Sequence, residues 1–360
     1  MSETPTGDVD LTTGSRVMTV AEMSANHGKD YERAVDIVHA AAEAGADAIK
    51  VQTFTPDTLT IACDNEHFRI DDSTLWAGRN LHELYAEAAM PWDWQPKLKN
   101  LAEGLGLIFF STAYDASSLE FLEEMEVPFH KIASFELADL ALIRTAAATG
   151  KPLVLSTGMA TLAEIENAVN AAREAGAGQV VLLKCVSCYP ARAEDMNLRT
   201  IPHMREAFEA PAGISDHTFG STVPVAAVSL GACMVEKHFT LSRTLPGPDS
   251  AFSMEPAEFH DMVQAVRTAE KALGRVHYGP TAHESASRVF RRSLFVVQDV
   301  AAGERFTEDN LRCIRPGNGL APTELPKVLG LTAARDVPRG TPLSWEVIGP
   351  PEESGSEVST

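Results

Sequence analysis

A (β/α)8 barrel followed by a small β-rich domain is the architecture this sequence predicts, on three observations. Between Val17 and about Leu273, short apolar runs alternate with stretches of helical periodicity, eight times over. Polar residues gather where each apolar run gives way to its loop, the ends that converge on one mouth in a barrel. After Gly274 the pattern changes to short β-type runs separated by turn residues.

The apolar runs are VMTVAEM (17–23), DAIKVQTF (47–54), LIFFSTA (107–113), FHKIAS (129–134), PLVLSTG (152–158), QVVLLKCVS (179–187), AGISDHT (212–218) and MVEKHFT (234–240). The intervening helices read YERAVDIVHAAAEAG (31–45), WQPKLKNLAEGLG (94–106), SSLEFLEEM (117–125), ADLALIRTAAATG (138–150), TLAEIENAVNAAREAG (161–176), TIPHMREAFE (200–209), TVPVAAVSLGA (222–232) and EPAEFHDMVQAVRTAEKALG (255–274). Glycine follows many of them, the expected C-terminal stop. An open doubly wound sheet would usually carry a Gly-rich dinucleotide fingerprint after its first strand, and none is present. The insertion from Pro56 to Pro91 exceeds a normal βα loop and falls where barrels build substrate contacts. Residues 275–290 read as a polar linker. Residues 291–349 form the β-rich domain, with parallel phrasing in SLFVVQDVAAGERF and LTAARDVPRGTP. Residues 1–16 and 350–360 are disordered by composition.

Composition narrows the function. A formal net charge of -20 with no Lys/Arg stripe excludes nucleic acid as partner. It also means that an anionic substrate must be held by local groups, because the global field repels it. No run approaches the roughly 20 apolar residues of a membrane span, and the N-terminus lacks a signal-peptide pattern. Five cysteines, an odd number, fit reduced thiols and a cytoplasmic protein, and the Cys185–Cys188 spacing stands alone without a second pair.

Lys50, Lys131 and Lys184 each lie in an apolar run, and a buried ammonium is costly unless an anion meets it. Hydroxyls stand beside them at the strand ends: Ser111 and Thr112, Ser134, Ser156 and Thr157, Ser187, and Ser215. Charge from lysine and directional donors from hydroxyls suit a phosphate. Strand alternation puts Lys50 with Gln52, Ser215 with His217, and Glu236 with His238 on shared faces. His217 and His238 can reach one divalent ion from adjacent strands, with open positions for water and substrate oxygens. His27, after Asn26, fits either a substrate contact or a turn. Two other readings use the same residues: a Schiff-base aldolase with Lys131 or Lys184 as nucleophile, and a phosphate- or sugar-binding barrel.

The segments AEMSANHG, IKVQTF, STAYD, KIASFE, LSTGM, ISDHT, EKHFT, PGPDSAFSMEP and RPGNG, in this order, resemble the sialic acid synthase family over nearly the whole chain. The resemblance implies a TIM barrel with an antifreeze-like (SAF) domain, and condensation of phosphoenolpyruvate with an N-acetylated amino sugar. Within the family, VQTFTPDTLT, LWAGRNLHELYAEA, LKCVSCYPARAEDMNLRTIP and GISDHTFGSTVPVAAVSLGA resemble the pseudaminic acid synthase branch, as does Ser187. RTLPGPD is nearer the sialic and legionaminic acid synthases.

By the same resemblance, His217 and His238 hold Mn2+, Mg2+ or a similar ion. Lys50, Thr112, Lys131, Ser134, Ser156, Ser187 and Ser215 hold phosphoenolpyruvate. Gln52, Glu136, Tyr189 and Asp249 orient the sugar, and Glu22 either positions the attacking water or orients a neighbouring histidine. Arg315 reaches the sugar bound by a second subunit, which implies a domain-swapped homodimer.

Overall fold

The computed structural model describes residues 11, 16–70 and 75–349. They fall into two compact units that divide between Gly274 and Arg275. The first is a closed barrel of eight parallel strands in sequential order. These are β1 (Met18–Glu22), β2 (Ala48–Thr53), β3 (Ile108–Ala113), β4 (His130–Ile132), β5 (Leu153–Ser156), β6 (Val180–Cys185), β7 (Ala212–Asp216) and β8 (Met234–His238). β8 pairs back onto β1, with Glu22 opposite His238.

Around it lie α1 (Tyr31–Glu43), α4 (Gln95–Gly104), α5 (Ala116–Glu124), α6 (Leu140–Ala147), α7 (Leu162–Glu174), α8 (Thr200–Phe208), α9 (Thr222–Ser229) and α10 (Pro256–Leu273). Two further helices, α2 (Pro56–Leu59) and α3 (Leu81–Ala88), belong to the insertion after β2. Helix starts follow local chemistry. The Asp30 carboxylate accepts from the Glu32 and Arg33 amides, and Thr161 with Glu164 makes a reciprocal capping box.

Strand parity decides what points where. Met18, Val20, Ala48, Phe110, Phe129, Val154, Val181 and Leu183 fill the barrel interior. Leu11, within the stretch read as a disordered tail, is buried in that cluster, and Arg16 pairs with Asp47 at 2.7 Å. The rest of both tails lies outside the described residues. Ala21, Ile49, Val51, Phe109, Leu155, Leu182 and Val235 face outward, into the layer shared with the helices. Outward polar groups are matched locally. Thr53 Oγ1 meets Ser111 Oγ at 2.6 Å and Gln95 Oε1 at 2.8 Å, while Lys237 pairs with Asp216 at 2.8 Å. Because that ion pair is fully enclosed, Asp216→Ala leaves a buried ammonium with the Thr218 carbonyl but no counter-charge. Denaturant unfolding is expected to show a loss of about 3–5 kcal/mol.

In the second unit β9 (Ser293–Val296) pairs antiparallel with β10 (Leu311–Ile314). The two parallel phrases meet: Val300 and Val337 exchange backbone bonds of 3.0 and 2.8 Å. Leu294, Val296, Phe306, Leu311, Val328, Leu343 and Val347 form its core, closed by α11 (Leu325–Val328). Residues 275–290 are exposed and end in a short helical turn, Ser285–Phe290. Among the described residues no helix is long and apolar enough to cross a membrane.

Candidate active site

The inward side chains beyond the apolar plug open into a cavity of about 360 Å³ at the carboxyl ends of the strands. Lys131 is the decisive group. It is 1 % exposed, and its ammonium donates to Ser156 Oγ at 2.6 Å and to the Ile132 carbonyl at 3.1 Å. Among the described residues no carboxylate lies within ion-pair distance of it. Burial lowers its pKa, and the more distant Glu236 only partly opposes this. Ser134 Oγ accepts from the Gly158 amide at 3.0 Å. A Cβ on Gly158 would overlap Ser187 Oγ and sit 2.7 Å from Ser134 Oγ, so two hydroxyls converge on a bare α-carbon. Charge, hydroxyls and room for oxygen atoms make an anion cradle. Gly158→Ala is expected to fill it and lower kcat/KM for the anionic substrate about 100-fold, read by steady-state kinetics with the second substrate saturating.

Lys50 is different, because its charge is already met. It pairs with Glu22 Oε2 at 3.0 Å and Glu236 Oε1 at 3.5 Å, and donates to Thr112 Oγ1 at 3.0 Å. Burial depresses its pKa, but the two carboxylates more than reverse this. Burial pushes the Glu22 carboxyl up to about 7; Lys50 opposes the rise and Glu236 adds to it. Glu236 moves the other way, because Lys50 and Lys131 together outweigh its desolvation. From Glu22 a hydrogen-bonded chain runs outward. Gln52 Nε2 donates to Glu22 Oε1 at 2.8 Å and to Ser24 Oγ at 3.0 Å, and Ser24 donates to Asp249. Ser24 adopts φ 46°, a left-handed backbone that costs a non-glycine residue energy and is held here by these bonds.

His217 and His238 face each other with ring centroids 5.2 Å apart. His217 Nδ1 lies 2.9 Å from the Val186 carbonyl, which can only accept. Nδ1 therefore carries a proton, and in the neutral ring Nε2 is the atom left for a ligand. Burial lowers the pKa of this ring, but the Cys185 thiol and the Val186 carbonyl more than reverse it. Burial above all holds the His238 pKa well below its ordinary value, so that ring is neutral. Among the described residues its buried Nδ1 has no hydrogen-bond partner. Tyr189 packs over His217 at 4.4 Å, and Phe252 approaches His238 at 4.9 Å. Among the described residues no group of three or more His, Cys, Asp or Glu is arranged to hold an ion. Two imidazoles are thus what this site offers a metal.

Residues 37–278 match the sequence profile of the NeuB family, and residues 291–348 match the SAF domain. The chain belongs to the NeuB family. It is 44 % identical over 331 residues to the pseudaminic acid synthase of Helicobacter pylori, covering 91 % of this chain and 97 % of that one. Identity to the N,N'-diacetyllegionaminic acid synthase of Legionella pneumophila is 36 %, over 91 % of this chain and 94 % of that one. Among solved structures, the N-acetylneuraminic acid synthetase of Leptospira borgpetersenii superposes with a TM-score of 0.68 at 32 % identity, covering 76 % of this chain and 90 % of that one.

In this NeuB-family chain the cavity gathers Glu22, Lys50, Gln52, Thr112, Lys131, Ser134, Glu136, Ser156, Tyr189, Ser215, His217, His238 and Asp249. Ser187 belongs to the cradle behind Gly158 without lining the cavity itself, and Arg315 lies exposed in the second unit. The expectations for Lys184, Ser111 and Thr157 are corrected, and the open choice at His27 is narrowed. Lys184 has the outward parity of β6, is only half buried and donates to the Cys185 carbonyl at 3.0 Å, so it neither grips an anion nor serves as a cavity nucleophile. Ser111 and Thr157 also face outward, bonded to Thr53 and to the Leu183 carbonyl. His27 is buried against Trp94, with Nδ1 accepting from the Lys29 amide, which is the turn role.

Sequence reasoning missed Cys185, whose thiol lies 3.9 Å from Ser187 Oγ and 4.0 Å from His217 Nδ1. The inward parity of Val181 and Leu183 would have found it. It also left out Glu236 as a site residue. Its Oε1 accepts from Ser215 at 3.1 Å and it shares Lys50 with Glu22.

Proposed function

We propose that this protein is a pseudaminic acid synthase. It condenses phosphoenolpyruvate with the open-chain aldehyde of 2,4-diacetamido-2,4,6-trideoxy-β-L-altropyranose, releasing phosphate by C–O cleavage. The observation that carries the chemistry is the unmatched Lys131 ammonium, set in a hydroxyl cradle within the cavity that also holds two facing imidazoles. The choice of sugar rests on the greater identity to the Helicobacter pylori pseudaminic acid synthase than to the legionaminic relative. RTLPGPD favours a legionaminate or N-acetylneuraminate synthase as the second reading.

Lys131, Ser134, Ser156 and Ser187, with the Gly158 amide, hold the phosphate oxygens of the enol ester. Lys50 and Thr112 continue the cradle towards its carboxylate. The Glu22–Gln52–Ser24–Asp249 chain, Glu136 and Tyr189 orient the acceptor. His217 and His238 fit a divalent ion such as Mn2+ or Mg2+, whose chemistry there is Lewis-acid polarisation of the aldehyde. The enol C3 attacks the aldehyde carbon, a new C–C bond forms, and cationic character appears at the enol C2. Water adds at C2, losing one proton, to give a tetrahedral intermediate. The bond from C2 to the phosphate's bridging oxygen then breaks, phosphate carries the bonding pair away, and the C2 hydroxyl loses its proton to become the ketone, while the former aldehyde oxygen takes up a proton as the new hydroxyl. Holding both reactants removes most of the entropic barrier to a bimolecular step.

In this reading Glu22 takes the proton of that water. A base must be ionised, so kcat is expected to rise with pH through about 7 in the wild type. In Glu22→Gln a kcat–pH profile keeping that rise would assign it elsewhere.

The reading includes a cytoplasmic homodimer in which Arg315 serves a second copy's cavity. Phe135, Met159 and Phe219 are exposed after β4, β5 and β7, and Leu162 is exposed at the start of α7, apolar side chains that a second copy would cover. Light scattering tests the dimer. The function is tested by competing the proposed sugar with its legionaminic counterpart and N-acetylmannosamine, read by product mass. A nine-carbon acid formed first from the L-altro sugar is expected; preference for either rival removes the pseudaminic reading.

A further inference from the structure

We propose that the Tyr85 and Tyr114 phenols, with the open oxygen of Glu136, form the subsite that recognises the acetamido group at C4 of the acceptor. The inference rests on the synthase reading above and deepens it, naming the residues that choose the sugar by its second amide.

All three side chains line the cavity, although they come from separate parts of the chain. Tyr85 lies on α3 of the insertion, Tyr114 follows β3 directly, and Glu136 closes the short turn Ser134–Glu136 after β4. Phe54, 3 % exposed, joins the two phenols: its ring meets Tyr85 at 6.0 Å and Tyr114 at 5.2 Å, edge-on in both cases. Its own backbone is held, because Trp92 Nε1 donates to the Phe54 carbonyl at 3.2 Å. Rings fixed by packing present their hydroxyls with little freedom left to lose on binding.

The polar atoms of this cluster are not paired with one another. Glu136 Oε2 is buried and, among the described residues, has no hydrogen-bond partner. The two phenol hydroxyls make no hydrogen bond among the described residues either. Burial raises both phenol pKas and the Glu136 charge raises them further, so both keep their protons and donate. A buried carboxyl with an open oxygen is costly until a ligand's donor meets it.

Two donors and one acceptor are what a secondary amide needs. Its N–H donates to Glu136 Oε2, and its carbonyl oxygen accepts from Tyr85 and Tyr114 on its two lone pairs. A C4 hydroxyl has three heavy atoms fewer and leaves part of this desolvated cluster without partners. Position selects C4. In the closed eight-strand order β3 stands opposite β7 and β4 opposite β8, so Tyr114 and Glu136 face His217 and His238 across the mouth. With the aldehyde carbon at the histidines, the C2 substituent stays beside the reacting centre. C4 is three bonds from that carbon, and its substituent extends to the far side.

The test uses the full-length protein with saturating phosphoenolpyruvate and Mn2+. Two acceptors differ only at C4: 2,4-diacetamido-2,4,6-trideoxy-L-altrose and 2-acetamido-2,6-dideoxy-L-altrose. The wild type is expected to favour the diacetamido sugar by about 100-fold or more in kcat/KM. Tyr85→Phe and Tyr114→Phe, which remove one oxygen and keep the ring, are each expected to cut that ratio about tenfold. Glu136→Leu, which removes the acceptor, is expected to cut it by roughly 10- to 100-fold. In all three the KM for phosphoenolpyruvate should stay within about twofold. A wild-type ratio near one, or a ratio unmoved in all three variants when their melting temperatures are native, overturns this inference alone. Equal losses with both acceptors do the same, because the cluster would then hold a group that the two sugars share. Consumption of neither aldose overturns the synthase reading and this inference with it.

Discussion

Replacing either His217 or His238 by alanine is expected to lower kcat by about 1000-fold or more. The expectation follows from how the rings are prepared. The Val186 carbonyl fixes a proton on His217 Nδ1, which leaves Nε2 as that ring's ligand atom, and burial keeps His238 neutral. Tyr189 and Phe252 hold the rings from the sides, leaving little freedom to recruit a substitute ligand. Bound metal, measured by elemental analysis after dialysis, should fall in parallel with turnover. Chelation of the wild type should reproduce the loss, and added Mn2+ or Mg2+ should restore it. Both variants running near wild-type rates in chelator-treated buffer would contradict the assignment.

Lys131→Met is expected to lower kcat/KM for phosphoenolpyruvate by about 1000-fold, with a much smaller change in the KM for the sugar. Its ammonium is enclosed and meets only Ser156 and a backbone carbonyl, so the ligand's charge is what makes its burial tolerable. Methionine keeps the length and apolar stem, which leaves folding largely intact. Lys50→Met is a useful contrast, because it brings Glu22 and Glu236 together without the cation they share. That variant should retain a proton on one carboxyl to higher pH and shift the kcat–pH profile, a signature that Lys131→Met lacks. An unchanged KM for phosphoenolpyruvate in Lys131→Met would remove Lys131 from the cradle.

The barrel was legible in the sequence because each of its eight strands is a continuous apolar run and each helix repeats with its own period. Much of the site followed from the same pattern, since a polar residue at a strand's carboxyl end has few places to go. What sequence could not give was the partner of each charge. Lys50, Lys131 and Lys184 look alike in a run of letters. Only pairing across strands distinguishes a lysine shared by two carboxylates from one that has none. Lys184 and Cys185 show a second limit: neighbours in a strand face opposite ways, and one residue of register decides which enters the cavity. The insertion's share of the cavity lining was hidden for another reason. Leu59, Ile70 and Leu84 come from a loop and two short helices whose convergence depends on long-range ties such as Trp76 to Pro248.

The most direct measurement follows oxygen. Phosphoenolpyruvate labelled with 18O at the bridging position is turned over with the diacetamido sugar, and both products are weighed. If the Lys131 cradle holds the phosphate while water enters at C2, all of the label leaves in inorganic phosphate and none remains in the nine-carbon acid. Label retained in the sugar acid, or no phosphate formed at all, would contradict the account.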